Sequence, residues 1–303
     1  MASLSMEKLN ALEEAAYQIR RLSIEMITYA RWGHPGGSLS LADILAVLYF
    51  ESMSINPREP KSELRDRLVL SKAHCSPALY AALALKGFFP KDDLYSYCEP
   101  NGLEGHTDMT RTPGVESSGG PLGMGLSIAA GMAYALRLKE EPRPRVFCLL
   151  GDGELNEGNI WEAAMFASHY HLDNLIAVVD YNKVMAKGFV WDLMSIEPLK
   201  DKWAAFGWDV LEVDGHDLCA LAATFYQARW VQPRGNPIVV IAHTVKGRGI
   251  EMAEFNYKWH THAPEAVTAD AMLRELARRY NRPEAGYSRL GSEREKEAFY
   301  GGE

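Results

Sequence analysis

The chain lacks the marks of several large function classes. Cysteine is scarce: Cys75, Cys98, Cys148 and Cys219 are the only four in 303 residues, widely separated and never spaced CxxC. That pattern argues against a disulfide framework or a cysteine zinc site and suits a reducing compartment. Positive charge is not in excess. The 32 Lys and Arg against 40 Asp and Glu leave a net charge of −8, and the basic residues are scattered without interleaved aromatics, which argues against a nucleic-acid surface. Long apolar runs are missing too. The longest apolar helix candidate, Leu41 to Phe50, carries Asp43 and is too short to span a bilayer. The segment Met1 to Leu12 has no basic flank followed by an apolar core, so no secretory signal is visible. A cytoplasmic protein without a membrane or nucleic-acid partner is expected. No Gly-Lys-Ser or Gly-Lys-Thr triplet occurs, which excludes a Walker A loop.

What is present is an ordinary globular balance, with 47% apolar and 24% charged residues in a chain long enough for a substantial core. Helical spacing is expected over 7–31, stopped by Gly33-His34-Pro35-Gly36-Gly37. Ser40 reads as an N-cap for a helix Leu41 to Glu51, and Ser76 as a cap with Pro77 at the first helical position. Strands are expected at Arg67–Ser71, Val146–Leu150, Leu175–Val179, Trp208–Val213 and Ile238–His243, alternating with helices such as Gly125–Lys139, Ile160–His171 and Leu218–Trp230. That alternation predicts an α/β fold, a mostly parallel sheet flanked by helices on both faces. With no internal repeat or dividing linker, residues 1–280 are expected to form a single domain and 281–303 a C-terminal arm. Residues 98–120 read as a long polar, glycine-rich loop of the kind that carries function.

Chemistry concentrates at Gly151-Asp152-Gly153-Glu154-Leu155-Asn156-Glu157-Gly158-Asn159, directly after a buried strand. The next strand ends at Asp180-Tyr181-Asn182. Asp152 and Asn182 thus fall at the carboxyl ends of two strands, where parallel sheets gather ligands beside helix N-termini. A carboxylate and a carboxamide are hard oxygen donors suited to magnesium and a diphosphate. A dinucleotide fingerprint fails because the third glycine, Gly158, comes too late. Alone, the acidic glycine turn would equally suit a plain strand-to-helix connection; Asn182 at the matching strand end favours the metal–diphosphate edge.

With these residues in view, the chain resembles transketolase. Gly151-Asp152-Gly153 followed by Asn182 is similar to the thiamine-diphosphate signature. His34-Pro35-Gly36-Gly37, Ser71-Lys72-Ala73-His74, Gly105-His106, Gly120-Pro121-Leu122-Gly123, Asp214-Gly215-His216-Asp217 and Trp259-His260-Thr261-His262-Ala263-Pro264 stand in transketolase order. Transketolases are usually about twice this length, so the chain resembles the separately encoded N-terminal, diphosphate-binding subunit of a split transketolase.

The resemblance implies a thiamine-diphosphate-binding fold and transfer of a two-carbon ketol group from a ketose or ketose phosphate to an aldose. It implies Mg2+ (or Ca2+ or Mn2+) held by Asp152, Asn182 and the Val184 carbonyl. Cofactor contacts would come from His74, Gly120, Pro121, Leu122, Gly151, Gly153, Asp152, Asn182 and Val184. His34, His106 and His260 would contact the sugar or move its protons, and Glu157 would serve near the cofactor at an interface between subunits. Apart from the resemblance, Glu157 is also well placed simply as an acid near a helix N-terminus. His169, His171 and His243 have no motif support. The glutamate that activates the cofactor's aminopyrimidine lies in the family's second half, so a C-terminal partner subunit carrying the pyrimidine-binding domain is implied, in an α2β2 heterotetramer. Departures cluster at Lys183, Lys187 and His262 and leave the identity of the ketose open. The alternatives are an α-type component of a 2-oxo-acid dehydrogenase and a non-catalytic regulatory subunit with the same fold.

Overall fold

The structure is a computed structural model that describes residues 4–139, 144–231 and 235–283. Helix α1 (Met6–Ala30) starts at Ser5, whose hydroxyl accepts from the Lys8 amide, and ends where Arg31 enters the left-handed region. It is followed by α2 (Pro35–Ser40), α3 (Ala42–Val47), β1 (Arg67–Leu70), α4 (Ser76–Lys86) and α5 (Met124–Arg137). Then come β2 (Val146–Gly151), α6 (Gly158–His169), β3 (Leu175–Tyr181), the short α7 (Val190–Leu193) and α8 (Leu199–Ala205). Last are β4 (Asp209–Asp214), α9 (Leu218–Tyr226), β5 (Ile238–His243) and α10 (Ala266–Arg279). Among the described residues no helix is long and apolar enough to cross a membrane.

The strands form one sheet in the order β1-β2-β3-β5-β4, every neighbouring pair parallel. This is the expected α/β architecture. Successive side chains of a strand point to opposite faces, and both faces here are covered. Phe147, Leu149, Ile176, Val178, Ile238 and Val240 pack with residues of α1, α3, α4 and α9. Cys148, Leu150, Ala177, Val179, Val239 and Ile241 pack with α5, α6 and Trp203 of α8. Burial on both faces explains why these strands are continuous apolar runs rather than alternating ones. A third cluster joins Tyr17 and Ile24 of α1 to Met272, Leu273 and Leu276 of α10, with Ile250, Ala253 and Trp259 between them. It anchors the long connection from β5 to α10 against the sheet's helical cover.

Because all strands run one way, their carboxyl ends share one edge. The residues that follow β1, β2, β3, β4 and β5 there are Ser71-Lys72, Asp152, Asn182, Gly215-His216 and Thr244-Val245-Lys246. Two local expectations are corrected. Helix α1 ends before the glycine segment, as expected, but Pro35–Ser40 is itself helical, with proline in its first turn. Ser40 is therefore no N-cap; its hydroxyl donates instead to Asp180 Oδ2 at 2.6 Å. Ser76 is the first residue of α4 rather than its cap, and its hydroxyl donates to the Gly105 carbonyl. Of the expected C-terminal arm, residues 284–303 lie outside the described residues.

Candidate active site

The Gly151-Asp152-Gly153 turn leaves the central strand β2 beside β3, with Gly151 in register with Asp180. Asp152 is buried, and its carboxylate accepts from its neighbour's amide, Gly153, at 2.7 Å and from the Lys183 amide. Burial, reinforced by the nearby Asp180 carboxylate, raises its pKa to about 6. Asn182 donates its Nδ2 to Asp180 Oδ2 at 2.9 Å and accepts the Val184 amide on Oδ1 at 3.2 Å. Asp152, Asn182 and Val184 line a single cleft of ≈ 290 Å³ together with His34, His74, His106, His260, Gly120, Leu122, Gly151 and Gly153. All the site residues expected from the sequence, except Pro121 and Glu157, therefore come together at this edge. Pro121 faces an adjoining hollow beside Ser71 and Met124, and Glu157 is an exposed residue preceding α6 whose side chain makes no capping bond.

The histidines form a ring cluster. Ring centroids are 5.0 Å apart for His34 and His74, 5.4 Å for His34 and His260, 5.2 Å for His74 and His260, and 6.2 Å for His34 and His106. They meet because α2 can lie against the turn that carries His74: a Cβ on Gly37 would stand 2.6 Å from the Cys75 sulfur, so only glycine fits there. Burial lowers the His34 pKa to about 4, with His106 and the nearby lysines adding to the effect. His260 falls to about 3 for the same primary reason, and His74 falls well below its usual value. The cluster is thus neutral at pH 7, each imidazole offering one donor and one acceptor to hydroxyls. His169, His171 and His243 are absent from the cleft lining; His171 meets the Gly235 carbonyl and His243 meets Glu212.

Four charged residues not expected as site residues from the sequence complete the edge. Lys72 is buried and donates to Asp180 Oδ2 at 2.5 Å. Burial opposes its charge most strongly, but Asp180, with Cys75 and Asp152 adding to it, leaves the pKa raised. Asp180 also accepts from Ser40, Thr244 and Asn182, so it is the hub beneath the cleft. Glu154, buried just past Asp152, accepts from the Ser71 hydroxyl, the Gly123 amide and the Gly151 amide at 2.5, 2.7 and 2.9 Å. It thereby ties three separate sequence motifs to one another. Lys246 reaches the Val184 carbonyl at 2.8 Å and His260 Nδ1 at 2.9 Å. Burial, with Lys72 nearby, lowers its pKa to about 8. Of the departures noted in the sequence, Lys187 is exposed, Lys183 sits 5.9 Å over the Tyr181 ring and His262 packs edge-on against Trp259.

Among the described residues no group of three or more His, Cys, Asp or Glu side chains could hold a metal ion. A hard cation nonetheless fits the oxygen set on this edge: one carboxylate, one carboxamide whose nitrogen is already committed to Asp180, and the Val184 carbonyl, whose second lone pair is left beside the one that accepts from Lys246. That set leaves the remaining positions of an octahedron to water and diphosphate oxygens. Lys246 adds a buried cation beside them, suited to an anionic ligand.

Known proteins share this sequence and fold over most of the chain. The family described as "Transketolase, thiamine diphosphate binding domain" matches residues 12–282. The chain is 46% identical over 244 residues to the "6-deoxy-6-sulfo-D-fructose transketolase subunit SqwG" of Clostridium sp. (strain MSTE9), covering 80% of this chain and 88% of that one. It is 38% identical to an apulose-4-phosphate transketolase subunit of Phocaeicola vulgatus, covering 91% of this chain and 98% of that one. Among solved structures, the transketolase from Leishmania mexicana superposes with a TM-score of 0.83 at 28% identity, over 91% of this chain but only 42% of that one. The chain belongs to the transketolase family, whose thiamine diphosphate binding domain it carries.

Proposed function

We propose that this chain is the diphosphate-binding subunit of a two-chain transketolase that moves a two-carbon ketol unit from a ketose to an aldose acceptor. The observation that carries the reading is the convergence of four neutral histidines on the same sheet edge as the Asp152–Asn182–Val184 oxygen set. The two-chain form is supported by the near-complete coverage of relatives that are themselves named as subunits.

Asp152, Asn182 and the Val184 carbonyl would hold a divalent cation, and Lys246 and His74 would face the diphosphate it neutralises. Gly120 and Leu122 line the same cleft as an apolar wall for the cofactor rings. Bound thiamine diphosphate supplies the carbanion chemistry for making and breaking the carbon–carbon bond. His34, His106 and His260 bind the sugar hydroxyls and carry protons to and from them. Neutral imidazoles suit that work because each can accept a proton at one nitrogen while donating from the other.

The substrate class we favour is a ketose bearing an anionic group. The names of the two relatives specify a sulfonated ketose and a phosphorylated one. The decisive experiment supplies thiamine diphosphate, Mg2+ and a panel of phosphorylated, sulfonated and unmodified ketoses, with and without a second chain carrying the pyrimidine-binding domain. Ketol transfer is expected only when the second chain is present and only from anionic ketoses. Robust turnover by the isolated chain would overturn the two-chain reading, and preference for unmodified sugars would overturn the substrate class.

A further inference from the structure

The Asp214-Gly215-His216-Asp217 motif is not accounted for by the cleft. His216 does not line it, yet its side chain is almost fully buried and both ring nitrogens are engaged. Nε2 faces the Val245 amide at 2.8 Å. A backbone N–H can only donate, so Nε2 is the bare nitrogen and Nδ1 carries the hydrogen. Nδ1 therefore donates to Asp43 Oδ2, at 2.7 Å. Asp43 in turn receives both terminal guanidinium nitrogens of Arg20, at 2.9 and 2.5 Å. Arg20 is fully buried, and its Nε donates to the Arg248 carbonyl at 3.2 Å.

Two ends of this network grip one short segment, while a third branch runs from Arg20 Nη1 to the Tyr280 hydroxyl at 2.6 Å. His216 holds the amide of Val245 and Arg20 holds the carbonyl of Arg248; Lys246 lies between them. The same segment is pinned to α2 by the Gly247 amide, which donates to the Gly36 carbonyl at 2.9 Å. Replacing a buried ion pair with apolar side chains of similar volume is often neutral or stabilising, so such a network is weak evidence for stability. A network with a fixed tautomer, two of whose three ends are backbone groups flanking a cleft lysine, is better accounted for by position.

We propose that Arg20, Asp43 and His216 are positioning residues for Lys246, holding the 245–248 turn so that its ammonium reaches the Val184 carbonyl and His260. The proposal deepens the cofactor-site reading above and rests on it only where the cofactor itself is the probe. Two measurements on the full chain test it. In the first, amines are acetylated competitively in the absence of cofactor and the sites quantified by mass spectrometry. Lys72, equally buried but held by Asp180, is the internal control. His216→Phe is expected to raise labelling of Lys246 several-fold and leave Lys72 unchanged. His216→Gln, whose carboxamide can accept from Val245 and donate to Asp43, is expected to restore most of the protection and serves alone if the Phe variant does not fold. Unchanged Lys246 labelling, or a rise matched by Lys72, would overturn the proposal.

In the second, magnesium thiamine diphosphate is titrated into a double-mutant cycle of His216→Phe and Lys246→Met. Loss of His216 is expected to weaken binding about tenfold alone and to have no further effect once Lys246 is gone, the signature of two residues acting as one. Additive losses would overturn it. Failure of the unmodified chain to take up the cofactor would instead strike at the cofactor reading, and the labelling comparison would still decide the positioning role.

Discussion

The Asp180 carboxylate accepts the Asn182 side-chain nitrogen at 2.9 Å, and that bond decides which end of the Asn182 carboxamide is available to a cation. The orientation is unambiguous because Asn182 Oδ1 meets the Val184 amide, a group that can only donate. Partners of this kind orient a ligand without touching the metal, and their loss typically costs about 10–100-fold in affinity. Asp180→Asn leaves one neutral oxygen where a carboxylate accepts from Ser40, Lys72, Asn182 and Thr244, so the bond that fixes the carboxamide is weakened. We expect affinity for Mn2+ or Mg2+, titrated with thiamine diphosphate present, to fall by about 10–100-fold. The double variant Asp180→Asn with Lys72→Met separates this effect from that of stranding the Lys72 charge, and should show the same loss.

Lysine position matters more than lysine number on this edge. Lys246 is buried with its ammonium in the cleft, whereas Lys183 lies over Tyr181 and Lys187 is exposed. A charge-assisted hydrogen bond is roughly twice as strong as a neutral one, and hydrogen bonds to charged groups contribute about 1.5–3 kcal/mol. Lys246→Met should therefore weaken thiamine diphosphate binding by more than about tenfold. Lys183→Ala and Lys187→Ala should each stay within about threefold of the unmodified chain, as expected for solvated charges. Calorimetric titration distinguishes them directly.

Gly125 is set where α5 crosses the end of β1. A Cβ there would lie 2.4 Å from the Ser71 Cβ, closer than real carbon atoms approach. Ser71 also holds Glu154 and the Gly125 amide, so it cannot move without loosening the turn after β2. Gly125→Ala is expected to cost about 1–3 kcal/mol of stability, the usual range for overpacking a filled site. Denaturant titration measures that loss. By contrast, a Cβ on Gly131, in the same helix, meets nothing within 4 Å, so Gly131→Ala should be neutral or mildly stabilising.

How much of this is legible in the sequence follows from which forces are local. Strands β2, β3 and β5 are readable because two-sided burial makes them short unbroken apolar runs ending in glycine or polar residues, as at Val146–Gly151. Parallel pairing then puts Asp152 and Asn182 on one edge whatever the details of packing. Helix α2 is not readable, since Gly36 and Gly37 are poor helix formers and only the tight approach to Cys75 explains the use of Gly37. The buried charges escape a local reading for a different reason. Lys72 finds Asp180 across 108 positions and Ser71 finds Glu154 across 83, so no local pattern announces either pair. A lysine or aspartate directly after an apolar strand is the available signal, and Lys72, Asp180 and Lys246 each lie at or just beyond the carboxyl end of one.

The neutral histidine cluster should leave its mark on stability as well as chemistry. The usual imidazole value is 6.5, whereas folded His34 is near 4, His260 near 3 and His74 well depressed, all primarily through burial. As pH falls from about 7, the unfolded chain takes up protons on these rings that the folded chain refuses. Stability therefore rises with pH across this range and is lost on acidification below about 6.5. Asp152, raised to about 6, opposes the trend, as do Glu154 and Glu116, which burial also raises, because the folded chain is then the better proton binder; the four depressed imidazoles, His106 among them, take up their protons in the unfolded chain earlier as pH falls. Asp43 and Asp180 are held below their ordinary values by Arg20 and Lys72, so their contributions are lost only in stronger acid. Between about pH 7 and 5 the melting temperature of the cofactor-free chain should fall steadily. His34→Asn or His260→Asn should flatten the slope, whereas a profile as steep as the parent's would mean that these rings titrate alike in the folded and unfolded chain.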